Sequence, residues 1–262
     1  MTRVTGCILL PVVAGCEWHV IEGTVADLEG EALPGVAVSV EGSRSQAVTD
    51  PLGEYSIRYE PGPVVLLFDK TGYTPGRLEL EVTELRHVLA TPVVLWRLPR
   101  EKGVYFFQDN KYEPLGATEV ERYMAADSGV VYGCRHVPEV ASPARLPDIM
   151  CHDLPRYNAR LCRMRLVESE FIEFERQTPV EKLWLADQAI DVVAQVIDEP
   201  KASLIRLQIL YPLEPGVYAV HWGALEGRRD LEPRAFLFSV VEPKAAVDSD
   251  AGGEADSGAA AD

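Results

Sequence analysis

Short runs of alternating apolar and polar residues recur along most of this chain of 262 residues. Val36, Val38 and Val40 alternate with small or charged residues, and Phe236, Phe238 and Val240 repeat the pattern far downstream. A period of two places every second side chain on one face of a β-strand. Because each strand then carries one apolar face that must be covered, the pattern predicts a mainly β fold of packed sheets.

The first predicted unit spans residues 20–98. Asp50-Pro51-Leu52-Gly53 places Asp, Pro and Gly where a type I turn prefers them. Strands are predicted on both sides of that turn and at 64–69, 77–82 and 87–98, where apolar runs are bounded by turn residues. Six or seven short strands without a helical period predict a small antiparallel sandwich.

The second predicted unit spans residues 99–243 and follows a charged, proline-containing hinge at 97–103. Residues 103–115 predict a hairpin that turns at Asp109-Asn110. Residues 117–127 contain good helix formers, end at Ser128-Gly129 and therefore predict a helix. Alternation returns at 205–209, 217–222 and 236–240. The expected fold class is mainly β, with two β-sandwich-like domains, the second with one helix.

The first fifteen residues have the pattern of a secretory signal peptide. Arg3 precedes an uncharged stretch from residue 4 to residue 15, which is the length of a signal h-region. Val13-Ala14-Gly15-Cys16 resembles the lipobox of bacterial lipoproteins, in which the cysteine sulfur receives a diacylglycerol. The resemblance implies cleavage before Cys16, a tether over 16–19, and membrane attachment through acyl groups such as palmitate.

A lipobox also implies a place in the cell. The expected location is the cell envelope, with a lipid anchor. If the cell is Gram-negative, the expected membrane is the outer one, on its periplasmic or surface face, because Glu17 is not the aspartate that resembles an inner-membrane retention signal. An ordinary cleaved signal and a native strand are the alternatives. Pro11 and Gly15 disfavour the strand, since proline removes a ladder donor and glycine weakens a strand interior.

One long pattern in the first unit carries a family resemblance. It reads Gly23-x-Val25-x-Asp27-x-x-Gly30-x-x-Leu33-Pro34-Gly35-Val36-x-Val38, then Thr49-Asp50-x-x-Gly53-x-Tyr55-x-Ile57, then Gly72-Tyr73. Over about eighty residues this order resembles the carboxypeptidase regulatory-like domain, a transthyretin-like sandwich. The resemblance implies a folding or interaction module that usually has no catalytic residue of its own.

Histidines suggest an enzymatic alternative. His19-Val20-Ile21-Glu22 and His136-Val137-Pro138-Glu139 both spell the His-x-x-Glu motif of zinc carboxypeptidases. We interpret both as chance matches, because the first lies on the tether and the second unit is too short and too β-rich for that enzyme. A metal-dependent or hydrolytic site around His136, Cys151, His152 or His221 stays an alternative, although the sequence holds no Gly-x-Ser-x-Gly or His-Glu-x-x-His. We predict no catalytic residue, metal or cofactor.

Three cysteines, Cys134, Cys151 and Cys162, remain once Cys7 and Cys16 are assigned to the signal and the anchor. Folding outside the cytoplasm favours a disulfide between two of them. The spacing does not choose among the three pairings and lacks the Cys-x-x-Cys knuckle of zinc sites. Three unpaired thiols are a further alternative, since Cys162 alternates with Met164 and Leu166 and is expected to face a core.

The segment from residue 134 to residue 165 carries six arginines against three acidic residues. The simpler interpretation is a solvated face whose arginines pair with the acids at 168–175. The alternative is a site for an anionic partner, such as lipid headgroups or acidic glycan. Four arginines would form it: Arg156, Arg160, Arg163 and Arg165.

Net charge narrows the range of partners. The chain carries a formal charge of -16, which opposes the phosphate contacts of nucleic-acid binding. Residues 244–262 are almost all small or acidic and predict a disordered tail. The expected function is a membrane-anchored, non-catalytic binding, scaffold or envelope-assembly module whose partner is an envelope protein or a glycan. A polysaccharide-binding module is the remaining alternative, for which exposed Trp or Tyr on a sandwich face would be characteristic.

Overall fold

The structure is a computed structural model that describes residues 19–82, 87–127, 129–198, 201 and 203–241. The predicted signal peptide, Cys16 and the acidic tail lie outside these residues. Strands dominate, as the alternating sequence predicts, and the mainly β fold class is confirmed. Within the described residues, no helix has the length and apolar character needed to cross a membrane.

Eight strands form the first unit over its described residues. They are β1 (His19–Ala26), β2 (Ala37–Val40), β3 (Gln46–Val48), β4 (Glu54–Tyr59), β5 (Gly62–Asp69), β6 (Gly76–Val82), β7 (His87–Leu89) and β8 (Val93–Val94). One sheet has the order β4-β1-β7, with β8 also pairing with β1, and the other has the order β3-β2-β5-β6. The strand predicted at 87–98 is therefore two short strands, both parallel to β1.

The two sheets enclose an apolar core, so this unit is the predicted sandwich, although β7 and β8 make it not wholly antiparallel. Val38, Ile57 and Phe68 are among its most buried residues. The turn predicted at 50–53 is present, with the Gly53 N–H donating to the Asp50 carbonyl at 3.0 Å. Gly53 is required there because its φ is +73° and a Cβ would lie 2.4 Å from the Val25 carbonyl oxygen.

Twelve further strands follow. They are β9 (Gly103–Gln108), β10 (Lys111–Pro114), β11 (Gly116–Glu119), β12 (Glu121–Ala125), β13 (Gly129–Cys134), β14 (Ile149–His152), β15 (Arg160–Glu173), β16 (Pro179–Ile190), β17 (Val192–Val196), β18 (Leu204–Ile209), β19 (Gly216–His221) and β20 (Arg234–Val240). A single turn of 3-10 helix, Ala224–Glu226, lies between β19 and β20. The predicted hairpin is present as β9 and β10, and both turn residues, Asp109 and Asn110, have positive φ.

These strands form two sheets, with the orders β10-β9-β14-β18-β17 and β11-β20-β19-β15-β12-β13-β16. Their main shared core includes Phe106, Leu207, Trp222 and Phe238. Additional pairing between β15 and β16 closes β15, β12, β13 and β16 into a ring. Tyr123 is fully buried in the cluster inside that ring.

The helix predicted at 117–127 is wrong, because these residues form β11 and β12. Tyr123 and Ala125 are buried while Met124 between them is exposed, which is the period of a strand. Their backbone groups pair with β13 and β15, and β11 pairs with β20. Helix propensity is a weak preference of less than about 1 kcal/mol per residue, so long-range pairing and burial override it.

Candidate binding groove on the first unit

An open groove of about 520 Å³ lies on the outer face of the β3-β2-β5-β6 sheet. Its floor follows β2, where Ala37 and Ser39 alternate with the inward-facing Val38. Register places Ala37 opposite Val48, and Ser39 opposite Leu67. The central strand therefore carries small outward side chains between strands with larger ones, and this difference in size creates the depression.

Charges of both signs lie at one end of the groove. Arg77 Nη1 lies 3.1 Å from Glu41 Oε1, and Arg77 Nη2 lies 3.2 Å from Glu79 Oε1. The hydrogen bonds that Arg77 donates to Glu41 and Glu79 raise the pKa of Arg77 above its usual value. All three side chains are well exposed, so the pairs contribute little to stability and can exchange partners with an incoming chain.

The floor strand is fixed by a buried threonine. The Thr49 hydroxyl donates to the Leu33 carbonyl at 2.6 Å and accepts the Val36 N–H at 2.9 Å. Lys70 Nζ adds a bond of 2.6 Å to the Pro34 carbonyl. These bonds hold the chain at the entry to β2, so the groove is a preformed feature of the sheet.

This groove is not among the sites that the sequence predicts. The signal was present in the outward positions of β2, where a strand with valines on its inner face carries Ala37 and Ser39 on its outer face. Small outward residues indicate a groove only when the larger side chains on the adjacent strands are known. Leu67 and Arg77 supply such side chains, but they are distant from β2 in sequence.

The residues of the two His-x-x-Glu sequences have no shared site. The His19 ring lies 5.5 Å from the Tyr59 ring, whereas Glu22 Oε2 lies 2.6 Å from His87 Nε2. His136 and Glu139 lie in the connection between β13 and β14. Within the described ranges, no three His, Cys, Asp or Glu side chains are grouped to hold a metal ion.

The other histidines of the enzymatic alternative are held separately. His152 Nδ1 lies 3.0 Å from the Glu101 carbonyl oxygen, and His221 Nδ1 accepts the Gly223 N–H at 3.0 Å. His221 is buried, and this burial lowers its pKa to about 4. His221 is therefore neutral at pH 7, and its Nδ1 is engaged by a backbone N–H. This local contact accounts for the buried histidine.

The predicted disulfide is wrong, because Cys134, Cys151 and Cys162 are all free and buried. Cys151 belongs to the core between the two sheets, whereas Cys134 and Cys162 belong to a separate cluster that includes Met164. Burial raises the pKa of Cys134 and Cys162 to about 12 and raises that of Cys151 further. The three thiols therefore act as small apolar side chains.

The predicted arginine patch is largely neutralised. Arg160 pairs with Glu226, Arg163 Nη1 lies 2.9 Å from Glu214 Oε2, and Arg165 Nε lies 3.1 Å from Asp187 Oδ1. The Arg156 guanidinium lies 4.4 Å from the centre of the Tyr157 ring. This arrangement favours the solvated face over an anionic-partner site, although the acids are not those at 168–175 that the sequence suggested.

One acid of that downstream segment, Glu173, pairs with a different arginine. Arg135, which directly follows β13, pairs with Glu173 of β15 and lies 3.1 Å from Glu121 of β12. The Tyr123 hydroxyl donates to Glu121 and receives a bond of 3.0 Å from Arg135 Nε. These polar contacts link three of the four strands in the closed ring, so we assign them to folding of the ring.

Comparison with known proteins identifies the first unit. Residues 20–91 match the family model of the carboxypeptidase regulatory-like domain. The match confirms the resemblance drawn from the glycine, proline and tyrosine pattern over those residues. No curated protein matches the chain.

Two solved structures are similar over a minor part of the chain. Both are complexes of a type II cohesin with an X-dockerin from Acetivibrio cellulolyticus, one with a C-terminal and one with an N-terminal interface mutation, at 16% and 18% identity. Each match covers 30% of this chain and 58% of the other chain, with TM-scores of 0.27 and 0.26. This chain thus spans little more than half of those chains, and such TM-scores do not bear on its function.

Proposed function

We propose that this protein is a lipid-anchored, non-catalytic binding module of the bacterial cell envelope, and that its carboxypeptidase regulatory-like domain binds an extended segment of a partner protein in the groove along β2. The observation that carries the proposal is the depression over Ala37 and Ser39, in which Ala37 and the neighbouring Val48 are exposed to solvent. The matched family supports a binding or scaffold role.

The shape and chemistry of the groove favour a polypeptide over a glycan. The residues of its floor are small, and its sides are apolar at Leu67 and Val48. This shape can accept every second side chain of an extended strand. Phe68 is the aromatic residue of the lining and is buried with 1% exposure. Sugar rings stack on exposed aromatic side chains, and this groove offers no such surface within its described lining.

Filling the groove tests the binding proposal. Ala37→Trp would place an indole on the floor, where the alanine side chain points outward, so the sandwich should fold normally. Ala117→Trp is the matched control, because Ala117 is an exposed alanine on β11 of the second unit. A phage-displayed peptide library panned on the immobilised full chain is expected to yield apolar, extended peptides that bind the native chain and the control but not Ala37→Trp.

Two outcomes would contradict the peptide-binding role. One is recovery of peptides that bind Ala37→Trp as well as they bind the native chain. The other is failure of the library on a chain that binds a glycan array and loses that binding in Ala37→Trp, which would transfer the groove to a polysaccharide. Circular dichroism and thermal unfolding of both variants would verify that the sandwich is intact.

Anchoring is a separate part of the proposal and rests on the lipobox-like sequence at Val13-Ala14-Gly15-Cys16. Radiolabelled palmitate should be incorporated by the native chain and by Cys7→Ser, and should be lost in Cys16→Ser. Fractionation should move Cys16→Ser out of the membrane pellet. Labelling that persists in Cys16→Ser, or that depends on Cys7, would overturn the anchor assignment without affecting the groove.

A further inference from the structure

An unprotected sheet edge lies on the second unit. β17 ends the β10-β9-β14-β18-β17 sheet, and among the described strands only β18 pairs with it. Its sequence, VVAQV, is uncharged, and its three central residues are exposed. Because an edge strand offers unpaired N–H and C=O groups, natural proteins usually shorten it or add charge or proline.

The other sheet edges of the described chain have that protection. β3 and β7 have three residues each and β8 has two, and the four longer edge strands carry charged side chains. Those side chains are Glu54 and Arg58 in β4, Arg77, Glu79 and Glu81 in β6, Lys111 and Glu113 in β10, and Glu119 in β11. β10 also contains Pro114. The absence of protection is therefore specific to β17.

Hydrogen-bond parity shows which backbone groups of β17 face outward. The Ile197 N–H donates to the Leu204 carbonyl at 3.0 Å, and these two residues continue the register that pairs Val196 with Ile205. In an antiparallel ladder, hydrogen-bonded pairs alternate along the strand. Gln195 and Val193 therefore bond to β18, and the N–H and C=O groups of residues 192, 194 and 196 point away from the sheet.

We propose that β17 is a homodimer interface, in which a second copy of this chain adds its own β17 antiparallel about a two-fold axis through Ala194. This axis pairs Ala194 with Ala194 of the other copy, and Val192 with its Val196. All three outward-facing residues then meet in register, which gives six backbone hydrogen bonds. A two-fold axis at Ala194 is thus the placement that uses every outward group of the strand.

Charge favours a second copy as the occupant. The cross-strand pairs are Val with Val, Ala with Ala and Val193 with Gln195, and Asp191 would face Ile197 instead of another acid. No charge on the strand specifies a different partner. The interface is small compared with a standard protein interface, and each copy carries -16, so the dimer is weak and strengthens as salt screens the repulsion.

A charge-swap experiment tests this interface independently of the groove. Ala194→Lys and Ala194→Glu each bring two like charges together at the two-fold axis, and Ala194 is exposed, so both should fold. The native chain and both variants are measured as full chains that also carry Cys16→Ser, which prevents acylation. Sedimentation of the otherwise native chain is expected to show a dimer whose fraction increases with protein and salt concentration. Each variant alone should remain at the mass of one chain, and an equimolar mixture should recover the dimer.

The matched control is Ala117→Lys, which adds one charge to the exposed edge strand β11 and should dimerise as the native chain does. Native chain that stays monomeric across the concentration series would overturn the proposal. So would dimers that persist in both Ala194 variants, or variants that fail to combine on mixing. Monomeric native chain that binds the uncharged peptide Ac-VVAQV-amide would reassign the edge to a foreign strand.

Discussion

The buried histidine of β19 predicts a specific loss of stability in acid. His221 Nδ1 accepts the Gly223 N–H, so protonation at that atom breaks the bond and places a charge in the core. Burial is the main reason that its pKa falls from the ordinary 6.5 to about 4, and Arg160 and Arg228 lower it further against the opposing effect of Glu226.

The folded and the unfolded chain bind a proton at His221 over different ranges of pH. In the unfolded chain His221 takes up a proton near pH 6.5, whereas in the folded chain it does so only near pH 4. Its contribution to stability is therefore complete above pH 6.5 and is lost as the pH falls towards 4. Each tenfold difference in proton affinity corresponds to about 1.4 kcal/mol, so the total loss is about 3 kcal/mol, of which about 2.5 kcal/mol is lost by about pH 4.5.

Urea unfolding of the native chain and of His221→Asn, each measured from about pH 7.5 to about pH 4.5, isolates this contribution. Asparagine retains a carbonyl oxygen that can accept the Gly223 N–H but does not titrate. The cost of the substitution itself adds an offset that is independent of pH, and the carboxylates titrate in both proteins, so the change of the difference with pH reports the His221 contribution. A difference that stays constant over this range, or an NMR titration that places the His221 pKa near 6.5, would refute the burial argument.

Three further predictions concern stability and reactivity. Gly53→Ala should cost at least about 2 kcal/mol, against about 1 kcal/mol for Gly30→Ala, because both have positive φ but a Cβ at Gly30 meets open space; chemical denaturation would compare them. Arg135→Met should lower the free energy of unfolding by about 2 kcal/mol, because it removes the cation that pairs with the buried Glu173 carboxylate. Arg165→Met removes an exposed pair with Asp187 and should change that free energy by less than about 0.5 kcal/mol in the same denaturation assay. A thiol reagent applied to a Cys7→Ser, Cys16→Ser chain should modify none of the three remaining cysteines until denaturant is added; rapid modification of the native chain would contradict their burial.

Local patterns predicted those elements whose structure depends on neighbours in sequence. The Asp109-Asn110 turn is an example, since two residues that tolerate positive φ select the tight hairpin between β9 and β10. The turn ending at Gly53 is another. At residues 117–127, by contrast, composition favoured a helix, and pairing with β13, β15 and β20 decided for strands.

The candidate sites were harder to predict because they depend on strands that are distant in sequence. Cysteine spacing could not show that Cys151 lies in one core cluster and Cys134 in another. The number of arginines in the segment does not indicate that Arg163 forms an ion pair with Glu214, fifty-one positions away. In each case the partner comes from another strand, and the sequence alone does not fix which strands are adjacent.

The sequence by itself determined that the chain is built of strands, because the period of two is a local property of side-chain direction. It also determined the carboxypeptidase regulatory-like domain at residues 20–91, whose turns require particular glycines and prolines. Only the tertiary structure decided that Ala37 and Ser39 form the floor of a groove, that His221 is buried, and that β17 ends a sheet. These features arise from the order of strands in each sheet, which is set by the summed burial and hydrogen bonding of distant segments.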